Sequence, residues 1–400
     1  MNQINKFYLS SFLKNQTYFT PIIILFLQFY KLSYSEIFWV YTIAAIANII
    51  LELPTGIFAD LIGRKTTMIL SRVFTLIAFI IFGFSGNFWM FVLAQLFITL
   101  GESFKSGTDV AYIYDYLKQK SKLTYTEVKG KQKFWARVGE SIAAAIGGFI
   151  AAKAVYSLFG LSISGYNMVF FVAAFPAFLH LLLIFTYDKI DEKRHSGELL
   201  KESVLHIKAS LLDVKHNPEM IKLIINITIF ITVVAGAAKF LQPYMQDARI
   251  PIEWFGIIYS VFLIITAVAV RYSYIFERWY SKPKLINVIT LIAIIPLLIV
   301  GFKFVSLIGV FFFFVLVMGD NIRSPIHTDQ FHSYVSSERR ATLGSILELF
   351  KNVGKAIMLP LFGYMADSIG FYNVMLIMAA IMFFNWVFFR ISDKTEYVDV

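Results

Sequence analysis

Apolar residues occur in long runs separated by shorter polar connections. The runs lie near 6–30, 35–59, 67–85, 88–116, 134–156 and 165–187, and again near 218–245, 252–275, 284–301, 304–330, 340–366 and 370–391. A bilayer core about 30 Å thick needs roughly 20 apolar residues per helix, so the pattern predicts twelve membrane-spanning helices in two sets of six. The longest polar connection, 188–217, separates the sets. It predicts an N-terminal bundle over 1–190, a cytoplasmic linker over 191–217 and a C-terminal bundle over 218–400. Within the linker, Ser196 can cap a helix that puts Leu199, Val204, Ile207 and Leu211 on one face and Lys201, Lys208 and Lys215 on another. Two readings stand for it: an amphipathic helix on an anionic leaflet, or a solvated tether. No small-residue cleavage site follows the first run, which therefore reads as a retained span and not a signal peptide.

Composition strengthens the membrane reading. The 400 residues are 58% hydrophobic and 16% charged, with mean hydropathy +0.69. Soluble chains carry about 25% charged residues, and no soluble fold has the interior to hide this much apolar surface. The chain has no cysteine, which excludes disulfides, thiolate metal sites and a cysteine nucleophile. None of its six histidines is paired at i,i+4, so no zinc site is predicted. No G-x-x-x-x-G-K-[ST] occurs, which argues against an ATP site of its own. The sequence implies no metal and no cofactor.

The net charge of +10 is unevenly placed. Arg64 and Lys65, six lysines from Lys118 to Lys133, the linker, Arg278, Lys282, Lys284, Arg339 and Arg340 fall on one side. The other side has only Lys31, Arg249 and Lys303. Basic loops stay inside, so the sequence predicts a multi-pass plasma (inner) membrane protein with both termini cytoplasmic. Because the basic residues are spread over separate loops, they imply no nucleic-acid partner.

The two sets of spans repeat one another. A shift of 218 residues lays Gly101, Glu102, Lys105, Ser106 and Asp109 on Gly319, Asp320, Arg323, Ser324 and His327. A shift of 215 lays Gly139 and Gly148 on Gly354 and Gly363, and one of 217 lays Asp60 on Glu277 and Lys65 on Lys282. A duplicated six-helix unit accounts for these offsets, and secondary transporters are commonly built this way, with the site near the midplane between repeats.

The connection between the second and third spans reads Gly56-Ile57-Phe58-Ala59-Asp60-Leu61-Ile62-Gly63-Arg64-Lys65. It resembles the G-x-x-x-D-[RK]-x-G-[RK]-[RK] signature of the major facilitator superfamily, except that Leu61 stands at the first basic position. The resemblance extends over the chain: two six-helix halves, twelve spans, cytoplasmic termini and a long central loop. It implies an all-α polytopic membrane protein with two pseudo-symmetric six-helix bundles working by alternating access. Gly56 and Gly63 suit close helix approach and a tight turn. Asp60 and Asp115 are the acidic partners available to Arg64. By the resemblance, Gly56, Asp60, Gly63, Arg64, Lys65 and Asp115 form a cytoplasmic gate; on the plainer reading Arg64 and Lys65 are topology charges. In the fifth span, Gly139, Gly147 and Gly148 resemble the glycines of the antiporter motif G-x-x-x-G-P-x-x-G-G, with Ala143 and Ala144 in place of the central Gly-Pro. This points either to a proton antiporter of the drug-export branch or to a small-residue packing face.

Ionisable groups at membrane depth cost about 2.5–3.5 kcal/mol each on insertion scales, so they face a cavity or one another. Glu102, Lys105 and Asp109 are spaced 0, 3 and 7 and share a face of one continuous helix; Asp320, Arg323 and His327 repeat that spacing. These six are the candidates for substrate binding or proton coupling. The competing reading makes Glu102–Lys105 and Asp320–Arg323 structural ion pairs, leaving Asp109 and His327 as the functional members. Glu52, beside Pro54, can join proton coupling, and Lys14 and Glu140 can reach the cavity or pair structurally. Arg72, Lys153, Lys222, Lys239 and Arg271 are placed to snorkel.

The sequence therefore predicts a secondary active transporter of small molecules, monomeric in the lipid bilayer, with H⁺ as coupling ion. Export of an amphiphilic or drug-like compound is the favoured direction, with uptake of a nutrient or metal chelator as the alternative. A membrane-embedded enzyme is the remote one, since neither paired histidines nor an H-E-x-x-H motif occurs.

Overall fold

The computed structural model describes residues 2–121, 123–158, 160–190, 214, 217–334 and 340–392. The expected linker helix lies outside these residues. The first apolar run is not one helix but two, α1 (Gln3–Lys14) and α2 (Ile23–Phe29). Asn2 caps α1 by accepting from the Ile4 amide. There follow α3 (Tyr34–Ile62), α4 (Arg64–Phe84), α5 (Phe88–Lys105), α6 (Thr108–Lys120), α7 (Tyr125–Ala152) and α8 (Gly165–Phe185). After 217 come α9 (Pro218–Lys239), α10 (Leu241–Asp247), α11 (Ile252–Arg271) and a 3₁₀ turn at Ser273–Arg278. The chain continues as α12 (Lys282–Ile292), α13 (Ile294–Gly301), α14 (Leu307–Ser333), α15 (Arg340–Ile369) and α16 (Phe371–Phe388).

Eight of the described helical segments are long and apolar enough to cross a bilayer. The expected first, fourth, fifth and eleventh spans do not reach that standard. They carry Lys14; Glu102 and Lys105; Arg137 and Glu140; and Glu348, Lys351 and Lys355. Polar side chains lower the hydropathy of a helix, and in a bundle such helices turn that face away from lipid. One feature was not expected: β1 (Val155–Leu158) and β2 (Leu161–Ser164) pair antiparallel between α7 and α8. Gly160, at φ +80°, supplies the left-handed turn that a tight hairpin needs.

The chain divides into two compact units. Of the described residues, unit 1 holds those within Met1–Leu32, Ile43–Leu199 and Ile250–Ile264, and unit 2 those within Ser33–Thr42, Leu200–Arg249 and Ile265–Val400. In unit 1, α4 packs chiefly on α5 and α8, and α1 on α7. In unit 2, α13 packs on α16, and α9 on α15 and α16.

The repeat read from the sequence is also present in the backbone. Lys31 and Arg249 lie 218 residues apart and both take the left-handed conformation, at φ 62° and 54°. Three residues beyond each, α3 and α11 begin. Gly148 and Gly363, related by the shift of 215, do matching work. Within unit 1 a Cβ on Gly148 would stand 2.8 Å from Gly256 N, and within unit 2 one on Gly363 would stand 2.8 Å from Phe38 Cβ.

Candidate functional site

Unit 1 gathers charged and polar side chains from five helices around a cavity of about 20 Å³. Lys14 comes from the last turn of α1 and Asp109 from the first turn of α6. Both positions suit the helix dipole: a cation at a C-terminus, an anion at an N-terminus. Lys14 Nζ lies 2.9 Å from Asp109 Oδ2. Lys105 Nζ lies 2.5 Å from Glu102 Oε2 on α5. From α4, Arg72 is 5% exposed and lines the cavity with Ser71. From α8, His180 places Nε2 2.6 Å from Ser10 Oγ, while its Nδ1 has no hydrogen-bond partner among the described residues. Gly101 lets α5 approach α4, since a Cβ there would stand 2.8 Å from the Ser71 carbonyl oxygen. Three cations (Lys14, Arg72, Lys105) thus stand against two carboxylates, an interior suited to a group bearing negative charge.

The expectation that Glu102, Lys105 and Asp109 share a face of one helix is corrected. Gly107 takes φ +72° and separates α5 from α6. Asp109 therefore belongs to a new helix and turns to Lys14. Position 107 corresponds to Pro325 in the repeat. Proline fixes φ near −65°, and α14 runs through it unbroken.

In unit 2 the matching group is built differently. Arg323 is fully buried. Its Nη2 donates to Asn226 Oδ1, and its guanidinium lies 4.0 Å from the Phe230 ring centroid. Its Nε and Nη1 have no hydrogen-bond partner among the described residues, nor does either ring nitrogen of the fully buried His327. Asp320 Oδ1 is likewise unpartnered there. The Asp320–Arg323 ion pair of the competing reading is absent among the described residues, because Asn226 takes the guanidinium instead. Asn226 is held by donating to the Phe389 carbonyl and accepting from Asn385 at its own. Lys351 pairs with Glu348 at 2.7 Å.

Other candidates separate from these groups. Glu140 pairs with Arg137 at 2.7 Å, one turn away on α7. Glu52 is half-buried in α3 and is not among the residues lining the unit 1 cavity. Of the residues expected to snorkel, Arg72 lines the unit 1 cavity instead, and Lys239 stands 3.3 Å from the centroid of the Tyr41 ring in unit 2. Sequence reasoning thus gave Arg72 the wrong place and passed over His180. Each is a lone ionisable residue within an otherwise apolar run, which was the available signal.

The gate motif is partly as expected. Gly63 takes φ +89° at the turn into α4. Arg64 pairs with Asp115 and donates to the Ala111 carbonyl. Lys65 donates to the Phe185 and Tyr187 carbonyls at the end of α8. The Asp60 side chain lies outside the described residues. Gly56 is corrected: among the described residues nothing lies within 4 Å of the place a Cβ would take there, so no close approach among them explains it. The fifth-span glycines stand at close approaches. A Cβ on Gly139 would stand 2.6 Å from the Phe12 carbonyl oxygen, and one on Gly147 would overlap that of Tyr18.

The family model described as Major Facilitator Superfamily matches residues 7–326. The chain is 21% identical over 388 residues to an uncharacterised MFS-type transporter, YxaM, of Bacillus subtilis (strain 168), covering 96% of this chain and 93% of that protein. Among solved structures it resembles the nucleoside transporter NupG, with a TM-score of 0.75, 15% identity, and coverage of 97% of this chain and 98% of that one. It also resembles a D-xylose–proton symporter, with a TM-score of 0.72, 15% identity and 96% of each chain covered. At these identities the likeness is one of fold.

Proposed function

This chain belongs to the Major Facilitator Superfamily, and on that premise we propose that it is a proton-coupled transporter of a small, partly hydrophobic compound carrying an acidic group. It is a multi-pass membrane protein and a secondary transporter, as its family is. The observation that carries the finer part is the Lys14–Asp109 pair, set beside Arg72 and Lys105 in the unit 1 cavity. A proton delivered to Asp109 breaks the pair and leaves the Lys14 ammonium for an anionic group of the substrate. When the substrate departs, Lys14 returns and Asp109 gives up its proton. Binding and protonation are thereby linked through one lysine.

In this reading the protein works as a monomer in the inner membrane, with both termini cytoplasmic and H⁺ as the coupling ion. The step at Lys14 and Asp109 loads the proton and the anionic group together and releases them together, so uptake by symport is the direction we propose. Export by exchange with H⁺, to which the antiporter-like glycines of α7 point, is the second reading, and it requires that proton and substrate compete for the site.

The test is reconstitution in liposomes with an imposed pH gradient and a panel of weak acids, zwitterions and cationic amphiphiles. Uphill, uncoupler-sensitive flux of the acids is expected, with the sign of the productive gradient giving the direction. Asp109→Asn is expected to keep downhill exchange and lose uphill flux. Uphill flux that survives in Asp109→Asn overturns the coupling site, and preference for cationic amphiphiles overturns the substrate class.

A further inference from the structure

Unit 2 contains a second, much larger cavity of about 560 Å³, remote in character from the polar group around Arg323. It is a groove between α12 and α14. Leu285 and Ile289 line it from one side, and Leu316, Gly319, Ile322 and Ile326 from the other, with Tyr280 and Lys284 at one end. Along α12 the lining runs from Lys284 to Ala293 and along α14 from Val315 to Ile326, which at the helical rise is about 14–16 Å. That is half of a bilayer core about 30 Å thick, so the groove is as long as one leaflet.

The polar end is built like a headgroup boundary. Tyr272, Tyr274, Phe276, Trp279 and Tyr280 are all exposed on and beside the 3₁₀ turn, and aromatic residues concentrate at that depth. Cations stand over these rings: Arg278 lies 5.5 Å from the Tyr274 centroid and Lys284 4.6 Å from that of Tyr280. Arg271 and Lys282 add to them. The nearby acids are Glu277 and Asp329, and Asp329 is taken up by Lys282. The end of the groove is therefore net positive.

We propose that this groove is a binding site for an anionic glycerophospholipid, with one acyl chain between α12 and α14 and the phosphate at Lys284 and Arg278. In the proposed orientation the lipid belongs to the cytoplasmic leaflet. Gly319 lies at the floor of the groove: a Cβ there would already touch Ile289 Cγ2 at 3.5 Å, an ordinary contact, so alanine is tolerated and a longer side chain must rise into the groove.

The experiment uses the full chain in phosphatidylcholine nanodiscs containing a small amount of phosphatidylglycerol or phosphatidylcholine with a diazirine on its acyl chain. After irradiation, labelled peptides are mapped. Each basic residue near a membrane surface contributes about 1 kcal/mol toward an anionic lipid, a factor of about five. The phosphatidylglycerol probe is therefore expected to label 284–293 and 315–326 about fivefold or more above the phosphatidylcholine probe. The combined Lys284→Gln and Arg278→Gln variant is expected to lose that preference, and Gly319→Leu to lose groove labelling by both probes while other spans remain labelled. Val288→Trp on the exposed rim serves the same purpose should Gly319→Leu fail to fold. Equal labelling by the two probes, a preference that survives loss of both cations, or labelling spread evenly over all spans overturns the proposal.

Discussion

Lys14 Nζ sits 2.9 Å from Asp109 Oδ2 and ties the end of α1 to the start of α6 across 95 residues of sequence. Both side chains are less than a fifth exposed. Losing either partner strands the other charge in a site with little water, whereas losing both removes the problem. Asp109→Asn and Lys14→Gln are each expected to lower stability by about 1–3 kcal/mol, and the double variant to recover part of that. Thermal unfolding of the four proteins in one detergent checks this; strictly additive losses would show that the two residues are not coupled.

Arg323 is held by Asn226 and by the face of Phe230. Lysine keeps the charge but has neither the planar fork nor the stacking surface. Arg323→Lys is therefore expected to lower stability by about 1.5–3 kcal/mol, the worth of one charge-assisted hydrogen bond. Thermal unfolding of the two proteins in one detergent reads it, and an unchanged midpoint would count against the contact with Asn226.

Gly363 lets the first turn of α3 close on α15 in unit 2. A Cβ there would lie 2.9 Å from the Tyr34 carbonyl oxygen as well as 2.8 Å from Phe38 Cβ. Gly363→Val is expected to push the two segments apart at a cost of about 1–3 kcal/mol. The chain has no cysteine, so a single Ser33→Cys reports the separation directly. It should react faster with a water-soluble maleimide in the valine variant, and an equal rate would count against the contact.

The carboxylate of Asp367 accepts hydrogen bonds from the Tyr34 and Ser35 amides, both at 2.8 Å. It thus caps α3 from a position 333 residues away in sequence. Asp367→Ala leaves those two donors without their acceptor and is expected to cost about 1 kcal/mol. Hydrogen exchange resolved to residues 34–36 should quicken, while exchange in α16 should not.

Two glycines are expected to respond to alanine with opposite sign. Gly107 takes φ +72°, a conformation that disfavours a Cβ by about 1–2 kcal/mol, so Gly107→Ala destabilises. Gly56 lies inside α3 with nothing among the described residues within 4 Å of a Cβ at that position, and alanine there gains about 1 kcal/mol of helix propensity. Parallel melting curves separate the two cases.

Residue order by itself determined the membrane class, the number and order of apolar runs, the duplication and the gate motif. These rest on local quantities: hydropathy over about twenty residues, and the spacing of glycines and charges along one strand of chain. It also picked out Lys14, Glu102, Lys105, Asp109, Arg323 and His327 as residues whose burial needs a reason. Only the tertiary structure decided their partners. Gly107 and Pro325 occupy equivalent places, yet one breaks its helix and the other does not, so Asp109 meets Lys14 while Arg323 meets Asn226. Arg72 and His180 joined the cavity for the same reason. A buried charge is stabilised by whichever polar group the packing of other helices brings within about 3 Å, and that distance is set by elements far away in sequence.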